Sequence, residues 1–208
     1  MPMESPTSLI KPETIITDAS TVINLNATGR ARDIVQALGS KFVVVDVVQA
    51  ELDAGRRSGR RDADLLNGLL TDQLFELVQL DADAMVHFEN LVIGPAIATL
   101  DDGEAATIAY SITKGATAAI DERKATTICS QRFPALSVCS TVDILARPDV
   151  QNALGKDELS AAVFRALIHG RMRVLPHNVQ WVVELIGPEQ ASACTSLPRV
   201  ARRLRTKE

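Results

Sequence analysis

Apolar positions fall in short continuous runs separated by segments of helical spacing, and this alternation predicts most of the fold. The run Thr14-Ile15-Ile16-Thr17, bounded by Asp18, reads as a buried strand. Ser20 or Thr21 is expected to cap a helix, and a helical stretch covers Ala31 to Leu38 and stops at Gly39. Phe42 to Val45 has the uninterrupted apolar character of a strand covered on both faces. Val47 to Ala54 reads as a helix ended by Gly55, Ala63 to Leu70 as another, Leu74 to Val78 as a strand and Asp81 to Leu91 as a helix. After Gly94-Pro95 a helix is expected from Asp102 to Lys114, because Ala105, Ile108, Ala109 and Ile112 recur at helical spacing. Thr117 to Ile120, Glu122 to Ser130 and Leu136 to Cys139 read as strand, helix and weak strand.

This order predicts an α/β domain over residues 14–147, with helices on both faces of a mostly parallel sheet and ligands at the carboxyl ends of its strands. Beyond Arg147-Pro148 the strand signal ends. Asp157 to His169 and Asn178 to Ile186 look helical, Gly187-Pro188 breaks the chain, and the terminus is basic. The expected organisation is a polar lead (1–13), the α/β domain (14–147) and a helical C-terminal extension with a basic tail (148–208).

Composition narrows the function. With 208 residues, 46% hydrophobic and 23% charged, the chain suits one soluble globular unit, and a net charge of −4 argues against a general polyanion binder. Five Phe, one Tyr and one Trp are too few for a base-stacking platform. Three cysteines without CxxC spacing support neither a disulfide framework nor structural zinc. Neither a secretory leader nor a membrane-length apolar run is read, so a cytoplasmic protein with no membrane partner is expected. GxSxG, GxxxxGK[ST] and GxGxxG motifs are all missing, which removes serine hydrolases, P-loop enzymes and dinucleotide enzymes.

What remains is a set of carboxylates. Asp18 and Asp121 each follow a predicted strand, so both should emerge at the ligand edge of one sheet. Turn formation or helix capping would explain either alone. Glu51 lies four residues after Val47 and three after Val48, which predicts an inward-pointing carboxylate needing a partner. Glu104 stands three residues after an Asp at the start of its helix, a capping-box spacing that still lets it face the sheet edge, with Asp102 beside it. Carboxylates converging without a cation among them repel unless a metal neutralises them, and all-oxygen ligation favours Mg²⁺ or Mn²⁺. That is the chemistry of phosphodiester hydrolysis.

The segments IITDAST at 15–21, VVQAEL at 47–52, LDDGEAATIAYSI at 100–112 and AAIDERKA at 118–125 together resemble the PIN-domain metal-dependent ribonucleases. The resemblance implies a three-layer α/β/α sandwich with a parallel sheet. It implies that Asp18, Glu51, Glu104 and Asp121 coordinate Mg²⁺ or Mn²⁺, with Ser20 supporting the first Asp and Asp102 assisting or competing with Glu104. GEA and DERKA look most like the VapC-like branch with Glu at the third acidic position, some members of which are toxins held by an antitoxin. Ala119 departs from the Thr that the family often places two residues before the last Asp. Asp143 in STVDIL reads either as a peripheral acid or, with more weight, as a helix-start residue.

Arg56, Arg57, Arg60 and Arg61 follow the helix carrying Glu51 and are candidate phosphate contacts. The function expected is therefore a metal-dependent endoribonuclease acting on RNA, with a cognate antitoxin or other protein and a homodimer as expected partners. The alternative is a catalytically weak or inactive PIN-fold module that acts by binding protein or nucleic acid.

Overall fold

The computed structural model describes residues 13–199. Of the predicted polar lead only Glu13 is among them, and most of the predicted basic tail lies outside the described residues. Five strands form one sheet: β1 (Thr14–Thr17), β2 (Lys41–Val45), β3 (Phe75–Val78), β4 (Thr117–Ala119) and β5 (Val138–Cys139). Their order is β3-β2-β1-β4-β5 and every neighbouring pair is parallel. Parallel pairing needs a crossover for every connection, which is why helical segments alternate with apolar runs in the chain.

Period-two geometry sends successive side chains to opposite faces. Ile15 joins Phe42, Val44 and Ala119 in one core, whereas Ile16 joins Val43 and Val45 in another. The first face is covered by α1 (Ala19–Ala27), α2 (Ala31–Leu38) and α4 (Asp62–Thr71), through residues such as Leu25, Ile34 and Leu66. The other carries α5 (Ala82–Val92), α6 (Asp102–Lys114) and α7 (Arg123–Arg132), where Leu91, Ile108 and Ile128 pack with Ala118 and Ile120. The helix α3 (Asp46–Arg56) leaves β2 and gives Val48 and Leu52 to the first core and Val47 to the second. This is the expected α/β/α sandwich.

The C-terminal part carries α8 (Thr141–Leu145), α9 (Pro148–Arg165), a π turn (Ala166–Gly170), a short 3₁₀ turn (Pro176–Asn178) and α10 (Val179–Ala193). Its Leu159, Val163, Leu167, Val182 and Ile186 lie in the same core as Ile15 and Val44, so these helices are packed on the sheet domain. Arg165 Nε also donates to the Thr28 carbonyl at 2.7 Å.

Several boundaries differ from expectation for physical reasons. Asp18, not Ser20 or Thr21, caps α1, because its carboxylate is the group that reaches the Thr21 N–H. Helix α3 runs through Gly55 to Arg56. Helix α9 starts at Pro148, nine residues before the expected Asp157, since proline suits the first helical position, and it is broken at Gly155 with φ 70°. Gly187 kinks α10 without ending it. The short α8 begins at STVDIL, where Ser140 and Asp143 form the capping box that starts it. Among the described residues no helix is long and apolar enough to cross a membrane.

Leu159→Ala, in the core beneath α9, is expected to cost about 2–5 kcal/mol in urea denaturation. Trp181, the single tryptophan, lies in α10. Its fluorescence should therefore change together with the far-ultraviolet dichroism of the whole chain. Two separated transitions would show that the C-terminal helices are not part of the common core.

Candidate active site

Strand order reverses between β1 and β4, so the carboxyl ends of these two strands border the crevice where open α/β sheets bind ligands. Asp18 stands at the end of β1, where its backbone N–H extends the ladder by donating to the Ala119 carbonyl at 3.3 Å. Its Oδ1 accepts from Thr21 N at 2.7 Å and its Oδ2 from the Ser20 hydroxyl at 2.8 Å. Thr21 Oγ1 donates to the Ala119 carbonyl at 3.0 Å and ties the first turn of α1 to β4.

Asp121 emerges two residues after β4 and is equally buried, each Asp being 2% exposed. Its Oδ1 accepts from Thr141 N at 2.7 Å; its Oδ2 accepts from Thr141 Oγ1 at 2.5 Å and from Asn24 Nδ2 at 2.6 Å. Thr141 is held in turn by the α8 capping box, which Asn178 closes by donating to Ser140 Oγ at 3.2 Å and to Asp143 Oδ1 at 2.9 Å. Asp143 is therefore a helix-start residue, as the sequence indicated.

Glu104 is half-buried in the first turn of α6. The N-cap residue Asp101 makes no side-chain capping bond, so the expected capping box is not completed. Burial first, then the charges of Asp18, Asp101 and Glu122, push the Glu104 carboxyl up to about 7. Burial and then the Asp18 charge lift Asp121 to about 6, against the hydrogen bonds from Thr141 and Asn24. Asp18 itself is raised by burial, and its bonds to Thr21 and Ser20 oppose the shift.

Glu51 corrects an expectation. Its neighbours Val48 and Leu52 are buried, but Glu51 is exposed and sits at the mouth of the site instead of pointing inward. Only its carboxylate is tucked in, against the start of α6, where a Cβ on Gly103 would stand 2.5 Å from Glu51 Oε2. Glycine at 103 is what lets this carboxylate approach α6. Partial burial of the carboxylate, with the charges of Asp101 and Asp102, raises its pKa, while Arg60 lowers it. Asp102 is exposed at the first position of α6.

A cleft of about 230 Å³ opens here, lined by Ser20, Asn24, Glu104 and Asp121 together with Arg60, Glu122, Arg171 and Arg173. The carboxylates are thus not free of cations, as their sequence neighbourhoods suggested. Of the four candidate arginines after α3, only Arg60 lines the cleft. Arg56 pairs with Asp53 at 2.9 Å and Asp64 at 2.7 Å, and Arg57 and Arg61 are exposed elsewhere. A larger cavity, about 370 Å³, lies between Ser111–Ala116 and Arg132–Ser137 at the amino ends of the strands and holds none of the carboxylates.

Sequence reasoning missed Asn24, Thr141, Arg171 and Arg173. Ser140-x-x-Asp143 is a capping spacing that puts Thr141 in a first turn, and Asn24 shares a helix face with Thr21. Arg171 and Arg173 carry no local signal that would join them to residue 121.

The donor set suits a hard divalent cation: all ligands are oxygen, and mutual repulsion raises the carboxyls, a cost that bound positive charge relieves. Among the described residues no three His, Cys, Asp or Glu side chains are gathered closely enough to hold an ion directly. Mg²⁺ is commonly held by one or two carboxylates, with waters and substrate phosphate completing its shell, so a spread carboxylate set fits it better than a closed cage would.

Asn24 Oδ1 is buried without a hydrogen-bond partner, and a Cβ on Gly170 would stand 2.6 Å from it. Gly170→Ala is expected to push Asn24 off Asp121 and to cost about 1–3 kcal/mol in thermal or urea unfolding. In an Asn24→Ala background most of that cost should vanish. Additive losses in this double-mutant cycle would show that Gly170 and Asn24 are not coupled.

No curated protein matches the chain. The crystal structure of VapBC2 from Rickettsia felis bound to a DNA fragment from their promoter aligns with a TM-score of 0.40 and 17% identity, over 62% of this chain and 98% of that one. A family model described as DUF3368, PIN domain, matches residues 14–188. The match spans the sheet, all four acidic positions, Arg171 and Arg173, and the chain belongs to this PIN-domain family.

Proposed function

We propose that this chain is a divalent-metal-dependent endoribonuclease in which Asp18, Glu51, Glu104 and Asp121 hold Mg²⁺ or Mn²⁺. The observation that carries the reading is the arrival of two buried carboxylates at the switch point of the sheet, with Glu104 close enough to feel the Asp18 charge. A nuclease activity is what PIN domains generally have. When bound, the cation supplies Lewis-acid stabilisation of the charge developing on the phosphodiester and an acidified water.

The protein's own contribution is positional. Thr21 and Ser20 fix the direction of Asp18, and Thr141 and Asn24 fix Asp121, so neither carboxylate has to be reorganised when a cation and substrate arrive. Residues 14–147 carry the four carboxylates in this reading. The extension after residue 148 supports them from behind through Asn178 and the close approach of Gly170 to Asn24.

The reading includes a cytoplasmic toxin of the VapC-like branch with Glu at the third acidic position, silenced by a cognate antitoxin and forming a homodimer. It rests on the GEA and DERKA resemblance. The alternative, a PIN-fold module acting through binding, is favoured by Ala119 in place of threonine and by Val86, Ile93 and Ile97, which are 58%, 73% and 87% exposed. These apolar residues offer a protein surface under either reading.

Purified protein, incubated with structured and single-stranded RNAs and DNAs in Mn²⁺, Mg²⁺ or EDTA, is expected to cut RNA only with metal. Asp18→Asn and Asp121→Asn should abolish cutting, and Ser20→Ala should lower apparent metal affinity by about 10–100-fold. If the Asp18→Asn and Asp121→Asn proteins cut as fast as the parent, the ligand assignment is wrong. Absence of Mn²⁺ binding by calorimetry, together with a stable complex with a protein partner, would support the binding module.

A further inference from the structure

The cleft beside the carboxylates has a basic wall that metal binding does not account for. Arg60 comes from the α3–α4 loop, whereas Arg171 and Arg173 come from the segment that follows the π turn. Residues 171–174 alternate outward and inward: Met172 and Val174 are buried, and Arg171 and Arg173 are exposed. The two buried side chains anchor the segment, and the alternation brings both guanidinium groups to one side.

Arg171 is held with φ 53° and ψ 35°, in the left-handed region that a residue with a Cβ rarely adopts. Backbone strain of this kind persists where surrounding structure enforces it, and it clusters at ligand clamps. Here the enforcing bonds are those of the π turn, in which Met172 N–H donates to the Ala166 carbonyl at 3.1 Å. Arg173 Nη1 pairs with Glu122 Oε1 at 2.7 Å, on the rim of the same cleft. Among the described residues Arg60 and Arg171 form no salt bridge, so two guanidinium groups beside the carboxylates are left to meet anionic oxygen from outside.

We infer that Arg60, Arg171 and Arg173 form a clamp for the phosphodiester backbone of single-stranded nucleic acid, holding phosphates that flank the one at the carboxylates. Guanidinium forks match phosphate oxygens in geometry and charge. No aromatic side chain lines the cleft, so bases have nothing to stack on and the clamp holds backbone without reading sequence. The clamp deepens the nuclease reading and rests on it for the direction of the strand. It explains how an acidic chain tolerates a polyanion: three arginines line the same cleft as Glu104 and Asp121.

The test is fluorescence anisotropy of labelled U12, A12 and dT12 oligonucleotides with the full chain in EDTA, across a range of KCl, so that cleavage plays no part. U12 and A12 should bind within about threefold of each other. Arg60→Gln with Arg171→Gln should weaken binding at least tenfold and flatten the log K against log salt slope by about 1.4, about 0.7 for each lost phosphate contact on a single strand. Arg132→Gln with Lys156→Gln, which removes two charges elsewhere, should leave affinity close to the parent's.

Where Arg171→Gln disturbs folding, as dichroism would show, Arg171→Gly keeps the left-handed backbone and removes only the guanidinium. Tighter binding of U12 than of dT12 would add a contact to the 2′-hydroxyl, and equal binding would confine the clamp to phosphates. Parental affinity and slope in the double variant, or no binding by the parent at low salt, would overturn the clamp. If the parent cuts RNA under those circumstances and Asp18→Asn does not, the nuclease reading survives alone. Loss of binding in the arginine variants of a protein that never cuts would separate the two the other way.

Discussion

Two carboxylates buried side by side in one sheet edge repel each other, and much of the surrounding structure is arranged to hold them there. Asp18 and Asp121 are brought together because β1 and β4 are neighbours and run in the same direction. Burial and repulsion act against their ionised forms. The compensation is made by neutral donors placed to leave a face of the carboxylates open. Thr21 and Ser20 serve Asp18; Thr141 and Asn24 serve Asp121. A lysine or arginine in their place would satisfy the charge and thereby remove the reason for a cation to bind.

This constraint propagates outward in layers. Thr141 is in position because α8 is nucleated by the Ser140–Asp143 capping box, and that box is closed by Asn178 from a segment far along the chain. Asn24 is packed against Gly170, the last residue of the π turn. The helices after Pro148 therefore share more than a hydrophobic core with the sheet domain. They press on the donors that orient Asp121, and the same segment carries Arg171 and Arg173 to the cleft. One piece of chain thus joins core packing, carboxylate orientation and the positive charge lining the cleft.

Asp18 and Asp121 are immobilised by strand ends and short hydrogen bonds. Arg60, Arg171 and Arg173 line the cleft as exposed side chains. Gly103 and Gly170 are the two sites at which a side chain would collide with this arrangement, the first through Glu51 and the second through Asn24.

The strands of the sheet, the α6 boundaries and the delivery of Asp18 and Asp121 to one edge were legible in sequence, because strand burial and helix periodicity are local patterns. The resemblance of four short motifs supplied the fold family, and the structure carries the expected sandwich. Glu51 was misjudged as inward because periodicity gives only the angular position of a residue around a helix; whether a long carboxylate turns to the core or to a cleft depends on what stands opposite, here Gly103. Arg56 looked equivalent to Arg60 in sequence, yet Arg56 pairs with Asp53 one turn back in α3 and with Asp64 of α4, whereas Arg60 lines the cleft; the second pairing and the cleft are tertiary. The roles of Asn24, Thr141, Asn178, Arg171 and Arg173 depend on contacts between residues 20 to 97 positions apart and on a shared cleft, for which a single sequence carries no periodic signal. Sequence by itself determined the alternating elements and the acidic residues at their ends; the tertiary structure alone decided which donors orient those acids and which cations share their cleft, because only chain crossovers bring such distant residues into contact.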